Sequence, residues 1–308
     1  MLLNTKKIAI KTLLISFIGL ISCPAFAFNT MLKSPQSIDK NFSDVSKMIA
    51  ESFLLQGNYN RAKEHFEKAV ALNSENIEAR LSLAAIYEAL NYNQEAEAQY
   101  KQILQLDNEN KKANYYYSLF LGKMGRNNES LSYVIKASSL MPYNAYINYD
   151  IGVIYAQKGD YINAVKYTQI SVSYKPDFPE ALNNMCFGLA NIRKPSEAIS
   201  YCEKSLKLQP KSAPTLDSTG FAYYGIGNYK KAVEYYLKAI ELDPSLSEIY
   251  LHLADAYYKL NNNEQALQTY EKYISIEKNP LDKDRIEKII NLLKINKTLK
   301  IKREEKKK

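Results

Sequence analysis

The chain has 308 residues, of which 46% are hydrophobic, with 26 tyrosines, ten prolines and no tryptophan, a composition that favours a folded protein over a disordered one. Its formal net charge of +8 is concentrated at the ends, because lysines lie in the first eleven residues and residues 281–308 hold eleven lysines and arginines against five acidic residues. The body of the chain is nearly neutral, which argues against a continuous basic face for nucleic acid.

Residues 1–27 are predicted to be a secretory signal peptide. Lysines up to Lys11 precede an apolar run from Leu13 to Ile21, and Ala25-Phe26-Ala27 then fits the small-x-small pattern of signal-peptidase sites. We therefore expect cleavage after Ala27, a mature chain that begins at Phe28, and export to the periplasm.

A second interpretation of the same leader rests on Cys23. The sequence Leu20-Ile21-Ser22-Cys23 resembles the lipobox of bacterial lipoproteins, in which the cysteine is lipidated and becomes the mature N-terminus. In that case the protein is a membrane-anchored lipoprotein. An uncleaved spanning anchor is a third reading, but the apolar run is only about half as long as a membrane span requires.

After a predicted linker at 28–42, the sequence repeats every 34 residues. The stretch GNYKKAVEYYLKAIELDP at 227–244 aligns with stretches at 159–176 and 193–210 without any insertion. Seven units fit this period: 43–76, 77–110, 111–144, 145–178, 179–212, 213–246 and 247–280. Apolar residues at helical spacing, with breakers between them, predict two helices in each unit.

Two columns of small residues indicate where the helices of each pair cross. Positions eight and twenty of the unit hold only Ala, Ser, Gly or Cys in all seven repeats. Two helices approach closely only where both present small side chains. Larger residues beside them, such as Tyr223 at position eleven and Tyr236 at position twenty-four, are expected to fill the gaps. Because one pair cannot bury its faces alone, each pair is expected to stack on the next.

This pattern resembles the tetratricopeptide repeat, over residues 43–280. Prolines stand at position thirty-two in Pro142, Pro176, Pro210 and Pro244, and small residues stand at positions eight, twenty and, in several units, twenty-seven. The resemblance implies an all-α fold, a right-handed α-solenoid of seven helix pairs. It also implies a module that binds a peptide or a partner domain on its concave face.

Two segments follow the repeats. Residues 281–300 are predicted to form one more helix, whose stripe of Ile286, Ile289, Ile290 and Leu293 would cover the exposed face of the last repeat. Residues 301–308, the sequence IKREEKKK, have no apolar pattern and are predicted to be a basic disordered tail.

The sequence contains no pattern that predicts catalysis. Its two histidines, His65 and His252, lie in repeats one and seven, and there is no phosphate loop, zinc-ligand spacing or nucleophile motif. We predict no enzymatic activity, no catalytic or metal site and no cofactor, and we expect both histidines to be partly exposed and solvated.

Two cysteines remain in the mature chain, Cys186 and Cys202, at positions eight and twenty-four of repeat five. Because these positions are offset by about one helical turn, we expect two buried thiols that pack as small apolar groups. A disulfide is the alternative, since an exported protein enters an oxidising compartment.

The candidate partner-binding surface follows from position nine of the first helices, which is bulky and apolar in four consecutive repeats. Small residues at position twelve, Gly122, Ala156 and Ala190, lie beside it and predict a furrow. The side chains either lean into the seam between adjacent first helices or line a groove for a peptide with apolar anchors. The candidate residues are Tyr115, Leu119, Tyr149, Val153, Asn183, Asn184, Phe187, Phe221, Tyr224 and Tyr258.

Two function classes remain open from the sequence. The first is a non-enzymatic scaffold or assembly factor in a bacterial cell envelope that recruits a protein or peptide partner. The second is a structural subunit or lipoprotein held permanently in an envelope complex, of the pilus-biogenesis or outer-membrane-assembly type.

Overall fold

The computed structural model describes residues 35–278, 280 and 282–305, and this part of the chain forms fifteen helices and no strand. The first six helices are α1 (Pro35–Leu55), α2 (Tyr59–Leu72), α3 (Ile77–Ala89), α4 (Asn93–Leu106), α5 (Lys111–Lys123) and α6 (Asn127–Leu140). The next eight are α7 (Ala145–Gln157), α8 (Tyr161–Tyr174), α9 (Pro179–Asn191), α10 (Pro195–Leu208), α11 (Ala213–Gly225), α12 (Tyr229–Leu242), α13 (Ser247–Lys259) and α14 (Asn263–Ile276). The last is α15 (Lys283–Glu305). The predicted all-α architecture of helix pairs is confirmed.

The turn inside each pair has one conformation in all seven repeats. Position fifteen has φ between 58° and 78° in every unit, which is the left-handed region. The residues are Gly57, Asn91, Gly125, Gly159, Arg193, Gly227 and Asn261. The side chain of Asn228, directly after Gly227, accepts a hydrogen bond of 3.2 Å from the backbone N–H of Lys231 and so caps α12. Glycine is frequent at position fifteen because it adopts this φ without a Cβ clash.

Small residues at positions eight and twenty allow the helices of each pair to touch, as predicted. All fourteen of these residues are buried. A Cβ added to Gly220 would lie 2.5 Å from the ring of Tyr236, and one added to Gly152 would lie 2.3 Å from the Thr168 hydroxyl. Since Tyr236 and Thr168 both stand at position twenty-four, position eight faces position twenty-four directly across the pair. The two glycines therefore make room for these larger partners.

The chain divides into two compact units between Met141 and Pro142. The first unit contains α1 to α6 around a core that includes Phe66, Leu83, Tyr100 and Phe120. The second unit contains α7 to α15, and its buried residues form three clusters along the stack of helices. The candidate surface residues of greatest interest, Phe187 and Phe221, belong to the second unit.

Helix α15 covers the last repeat of the second unit. Ile286, Ile290 and Leu293 are buried against α14, with exposed fractions of 0%, 8% and 3%. Lys294 pairs with Glu271 of α14 at 2.8 Å, and Arg285 pairs with Asp255 of α13 at 3.1 Å. The predicted capping helix is therefore present and buries the predicted stripe.

Two predicted segment boundaries are wrong. Helix α1 begins at Pro35, inside the predicted linker 28–42, because proline suits the first turn of a helix and no breaker separates it from residue 43. Helix α15 continues to Glu305, inside the predicted disordered tail 301–308, because the added lysine, arginine and glutamate residues favour helix. The other part of the linker, residues 28–34, and the last three residues lie outside the described residues.

The predicted signal peptide, including Cys23, also lies outside the described residues. Among the helices that are described, none combines the length and the apolar character needed to cross a bilayer.

Candidate partner-binding surface

A row of rings runs along the first helices of the second unit. The ring centroid of Phe187 on α9 lies 6.0 Å from that of Phe221 on α11, which lies 5.5 Å from that of His252 on α13. We call these three residues the aromatic row. Tyr161 of α8 extends it, 5.7 Å from Phe187. The rings contact one another across the seams between first helices, and each is only half-buried.

The other predicted furrow residues are divided between the two units. Val153 on α7 is half-buried in the second unit. Leu119 on α5 is half-buried in the first unit, and the nearby ring of Tyr115 lies 5.5 Å from that of Tyr116. The structure therefore describes a part of the predicted furrow in each unit. The part in which rings on adjacent first helices contact one another lies in the second unit.

Polar residues flank the aromatic row at α9. Asn184 hydrogen-bonds the hydroxyl of Tyr149 on α7. Burial, together with the carboxylates of Asp150 and Glu180, raises the pKa of Tyr149 to about 12. The Oδ1 atom of Asn183 is buried and has no hydrogen-bond partner among the described residues. Because this amide oxygen is buried, it does not face solvent at the first-helix surface.

The histidine of the row forms an ion pair that the sequence analysis missed. His252 Nδ1 lies 2.8 Å from Asp217 Oδ1, and only 24% of the histidine side chain is exposed. Our expectation of a solvated side chain was therefore wrong for His252, which also contacts the ring of Tyr236 at 5.7 Å. The sequence could have indicated this pair, because His252 at position six of repeat seven and Asp217 at position five of repeat six lie on adjacent first helices. His65, in the first unit, is half-buried and stacks on Phe53 at 5.5 Å.

The surroundings of His252 favour its charged form. Burial lowers the pKa of His252, but Asp217 on α11 and Glu248 and Asp255 on α13 raise it by more, so that its pKa in the folded protein is raised. Tyr236 of α12 is the titratable group that faces the ring from the remaining neighbouring helix.

We predict that this pair makes stability pH-dependent. Because the folded protein holds the proton more tightly than the unfolded chain, the stabilisation is complete below about pH 6.5 and is lost as pH rises through the raised pKa of His252. Urea midpoints measured from pH 5 to pH 9 should therefore fall with pH in the wild type and less steeply in His252→Gln. Asp217→Asn should flatten the slope in the same way. An unchanged slope in both variants would contradict the assignment.

The last repeat joins the surface to the cap. The Tyr270 hydroxyl donates a hydrogen bond to Asp255, whose carboxylate also accepts from Arg285 of α15. Two predicted residues lie near this end: Tyr224 contacts the ring of Tyr229 at 5.1 Å, and Tyr258 packs half-buried against the cluster beneath α15. Asp255, the position-nine residue of repeat seven, is thus engaged in contacts within the protein.

Beneath Phe187, the structure joins α9 and α10 by a disulfide between Cys186 and Cys202. Their Cα atoms are 5.2 Å apart and both residues are fully buried. Our expectation of two free thiols was wrong because it assumed an offset of about one turn between positions eight and twenty-four. The crossing of the two helices places these positions opposite each other.

The described residues offer no other site with defined chemistry. No group of three or more His, Cys, Asp or Glu residues within them is arranged to hold a metal ion. A polar cleft of about 770 Å³ lies in the first unit beside α1 and the turn before α3. Its lining carries four carboxylates and two lysines, and one of each forms the Lys47–Glu78 pair at 2.7 Å.

Comparison with known proteins gives one family and several structures. Sequence profiles of the tetratricopeptide repeat match residues 53–114, 145–178 and 247–280, and a profile described as TPR repeat matches 220–261. No curated protein is significantly similar to the chain.

Three solved structures illustrate the likeness. PilW, described as a widely conserved type IV pilus biogenesis factor, is 25% identical, with a TM-score of 0.57 over 67% of this chain and 96% of that one. YrrB, described as a TPR protein with an unusual peptide-binding site, is 25% identical, with a TM-score of 0.54 over 61% of this chain and 96% of that one. PilF of Pseudomonas aeruginosa is 20% identical, with a TM-score of 0.59 over 70% and 97%.

Proposed function

Because the chain belongs to the tetratricopeptide repeat family, whose fold serves as a protein-interaction scaffold, we propose that it binds a partner peptide or domain on the first-helix face of its second unit. We further propose that it acts, without enzymatic activity, as an assembly factor in a bacterial cell envelope. The partner is a protein, and no cofactor or nucleic acid takes part.

The observation that carries this proposal is the state of Phe187 and Phe221. Both rings are half-buried, and neither belongs to the buried hydrophobic clusters of the second unit. They are bulky apolar groups in a row of contacts, and apolar surface that is contiguous and exposed is typical of interaction sites. A ligand with apolar side chains would remove the remaining exposed area of these two rings from water.

Two of the similar structures support the proposed envelope role and the proposed peptide ligand. PilW is described as a pilus biogenesis factor and YrrB as having a peptide-binding site. The predicted signal peptide is consistent with an envelope protein.

The test is the double variant Phe187→Ser with Phe221→Ser. We expect it to lose the partner captured by crosslinking in the native cell and identified by mass spectrometry. Burial of one aromatic anchor contributes about 1.5–3 kcal/mol, so affinity should fall at least tenfold. Ile162→Ser with Leu237→Ser is the control, because these side chains are exposed on the second helices and their loss should leave capture unchanged. If capture survives while the melting temperature collapses, the two phenylalanines are core residues and the groove does not exist.

Export is tested by the intact mass of the protein purified from its native cell. We expect a mature chain that begins at Phe28 and is located in the periplasm. A mass corresponding to lipid on Cys23 would instead establish the lipoprotein alternative and place the chain on a membrane face. Detection of the full 308-residue mass would contradict both forms of processing.

One observation favours the alternative role as a permanent subunit of an envelope complex. Leu292, Ile295 and Leu299 form an exposed apolar stripe on α15, with exposed fractions of 48%, 57% and 48%. A permanent subunit would cover such a stripe. Aggregation on gel filtration that co-expression of a partner relieves would favour this role, and a stable monomer would favour the recruiting scaffold.

A further inference from the structure

The first helices of the second unit have a biased charge. Helices α7, α9, α11 and α13 carry five carboxylates, and their only lysine is Lys259, at the end of α13. The carboxylates are Asp150, Glu180, Asp217, Glu248 and Asp255. The second helices, α8, α10, α12 and α14, carry lysines and carboxylates in nearly equal numbers. The negative charge therefore belongs to one side of the helix pairs.

These carboxylates lie around the aromatic row and act on its neighbours. Asp217 contacts His252 of the row at 2.8 Å. Burial raises the pKa of Tyr236, and Asp217 and Asp255 raise it further. At α7 and α9, Asp150 and Glu180 have the same effect on Tyr149. Three groups on different helices, of which Tyr236 is fully buried, thus experience negative charge from the same face.

The protein itself neutralises only part of this charge. Arg285 of the cap pairs with Asp255, and His252 pairs with Asp217. Glu180 and Glu248, by contrast, are exposed and lie near the N-terminal ends of α9 and α13, seven residues before Phe187 and four residues before His252. A ligand that contacts both rings and extends towards the N-terminal ends of these helices therefore meets exposed carboxylates.

A lysine of the chain shows what this face accommodates. The Nζ atom of Lys175, in the loop before α9, lies 4.6 Å from the ring centroid of Tyr146 and 4.9 Å from that of Phe178. It also hydrogen-bonds the Tyr146 hydroxyl at 2.6 Å, and the carboxylate of Glu180 acts on it. An ammonium group among rings and a carboxylate is therefore already a stable arrangement at this end of the face.

We propose that the first-helix face of the second unit selects a basic peptide segment, in which lysine or arginine side chains stand beside a bulky apolar side chain. The apolar side chain contacts Phe187 and Phe221, and the cations approach Glu180 and Glu248. This inference rests on the proposed function, because it names the class of partner that the same surface binds. Complementary charge supplies specificity and raises the association rate.

The first experiment selects ligands without assuming their sequence. A random dodecapeptide phage library is panned on the full mature chain, with the Glu180→Lys, Glu248→Lys variant used for counter-selection. We expect recovered peptides to be enriched in lysine or arginine next to leucine or an aromatic residue. No enrichment, or enrichment in aspartate and glutamate, would overturn the proposal.

The second experiment measures the recovered peptide by fluorescence anisotropy. We expect Glu180→Lys with Glu248→Lys to weaken binding roughly tenfold at low salt, and 0.3 M NaCl to weaken binding to the wild type. The matched control is Glu203→Lys with Glu241→Lys, which reverses two exposed carboxylates on the second helices and keeps the same net charge. An equal loss in this control would overturn the proposal, since net charge and not the face would then decide binding.

The outcomes separate this inference from the proposed function. If Phe187→Ser with Phe221→Ser abolishes capture of the native partner while Glu180→Lys with Glu248→Lys leaves it unchanged, the surface binds a partner but does not select a basic one. If neither pair affects capture, the proposed function itself fails.

Discussion

Truncation of the chain after Lys278, which removes α15, should destabilise the second unit by several kcal/mol and cause the protein to aggregate. The cap buries Ile286, Ile290 and Leu293, and full burial of each such side chain contributes about 1.5–3 kcal/mol. Its loss also exposes the apolar side of the last repeat, including Tyr270 and Tyr273. Repeat arrays need a terminal element with a polar outer face for solubility.

Point variants on α15 separate burial from helix formation. Ile286→Asp places a charge at a position that is 0% exposed, and it should lower the urea midpoint strongly. Leu292→Asp makes the same chemical change at a position that is 48% exposed on the same helix, and it should have little effect. Equal midpoints for the two variants would show that α15 does not dock on the last repeat.

The second large effect is expected from the disulfide. Replacing Cys186 and Cys202 by alanine should lower the free energy of unfolding by about 3 kcal/mol, because the bond closes a loop of about 17 residues in the unfolded chain. Reduction of the wild-type protein under denaturing conditions, followed by refolding in reductant, should produce a similar loss. Urea denaturation of the oxidised, reduced and double-alanine proteins provides the measurement.

Whether Cys186 and Cys202 are joined by a disulfide can be tested separately from stability. Denatured, unreduced protein should have no thiol at Cys186 or Cys202 that reacts with a maleimide, as judged by peptide mass spectrometry. Two labelled cysteines in protein from its native cell would contradict the disulfide. A Cys186→Ala single variant then serves as the positive control, because it leaves Cys202 free.

The disulfide should also affect the candidate partner-binding surface. Cys186 directly precedes Phe187 on α9, and Cys202 holds α10 against that part of the helix. Loss of the bond should therefore loosen the support beneath the aromatic row. We expect weaker partner capture in the double-alanine variant than in the control Ile162→Ser with Leu237→Ser.

The local and repeated part of the fold could be predicted from the residues alone. The 34-residue period, the two helices of each unit and the small residues at positions eight and twenty are set by spacings along one chain segment. Each is repeated seven times, so that a departure such as Ser118 or Cys186 does not obscure it. The same periodicity predicted the furrow at position nine, whereas the stripe of α15 was predicted from the helical spacing of its apolar residues alone.

Outside the 34-residue repeats, no periodic pattern indicates where the terminal helices begin and end. The start of α1 at Pro35 and the continuation of α15 to Glu305 lie outside the repeats, so that no neighbouring unit indicated their extent. At these ends, helix propensity and the absence of breakers decided the structure, and both are weak signals.

Which positions meet across helices could not be predicted from the spacing of residues along the chain. Cys186 faces Cys202, Gly220 faces Tyr236, Asp217 pairs with His252 and Arg285 pairs with Asp255. The spacing within a helix determines which side chains share a face, but the register between two helices depends on their crossing angle and on the volumes packed between them. That register brought the two cysteines together and placed the carboxylates around the aromatic row.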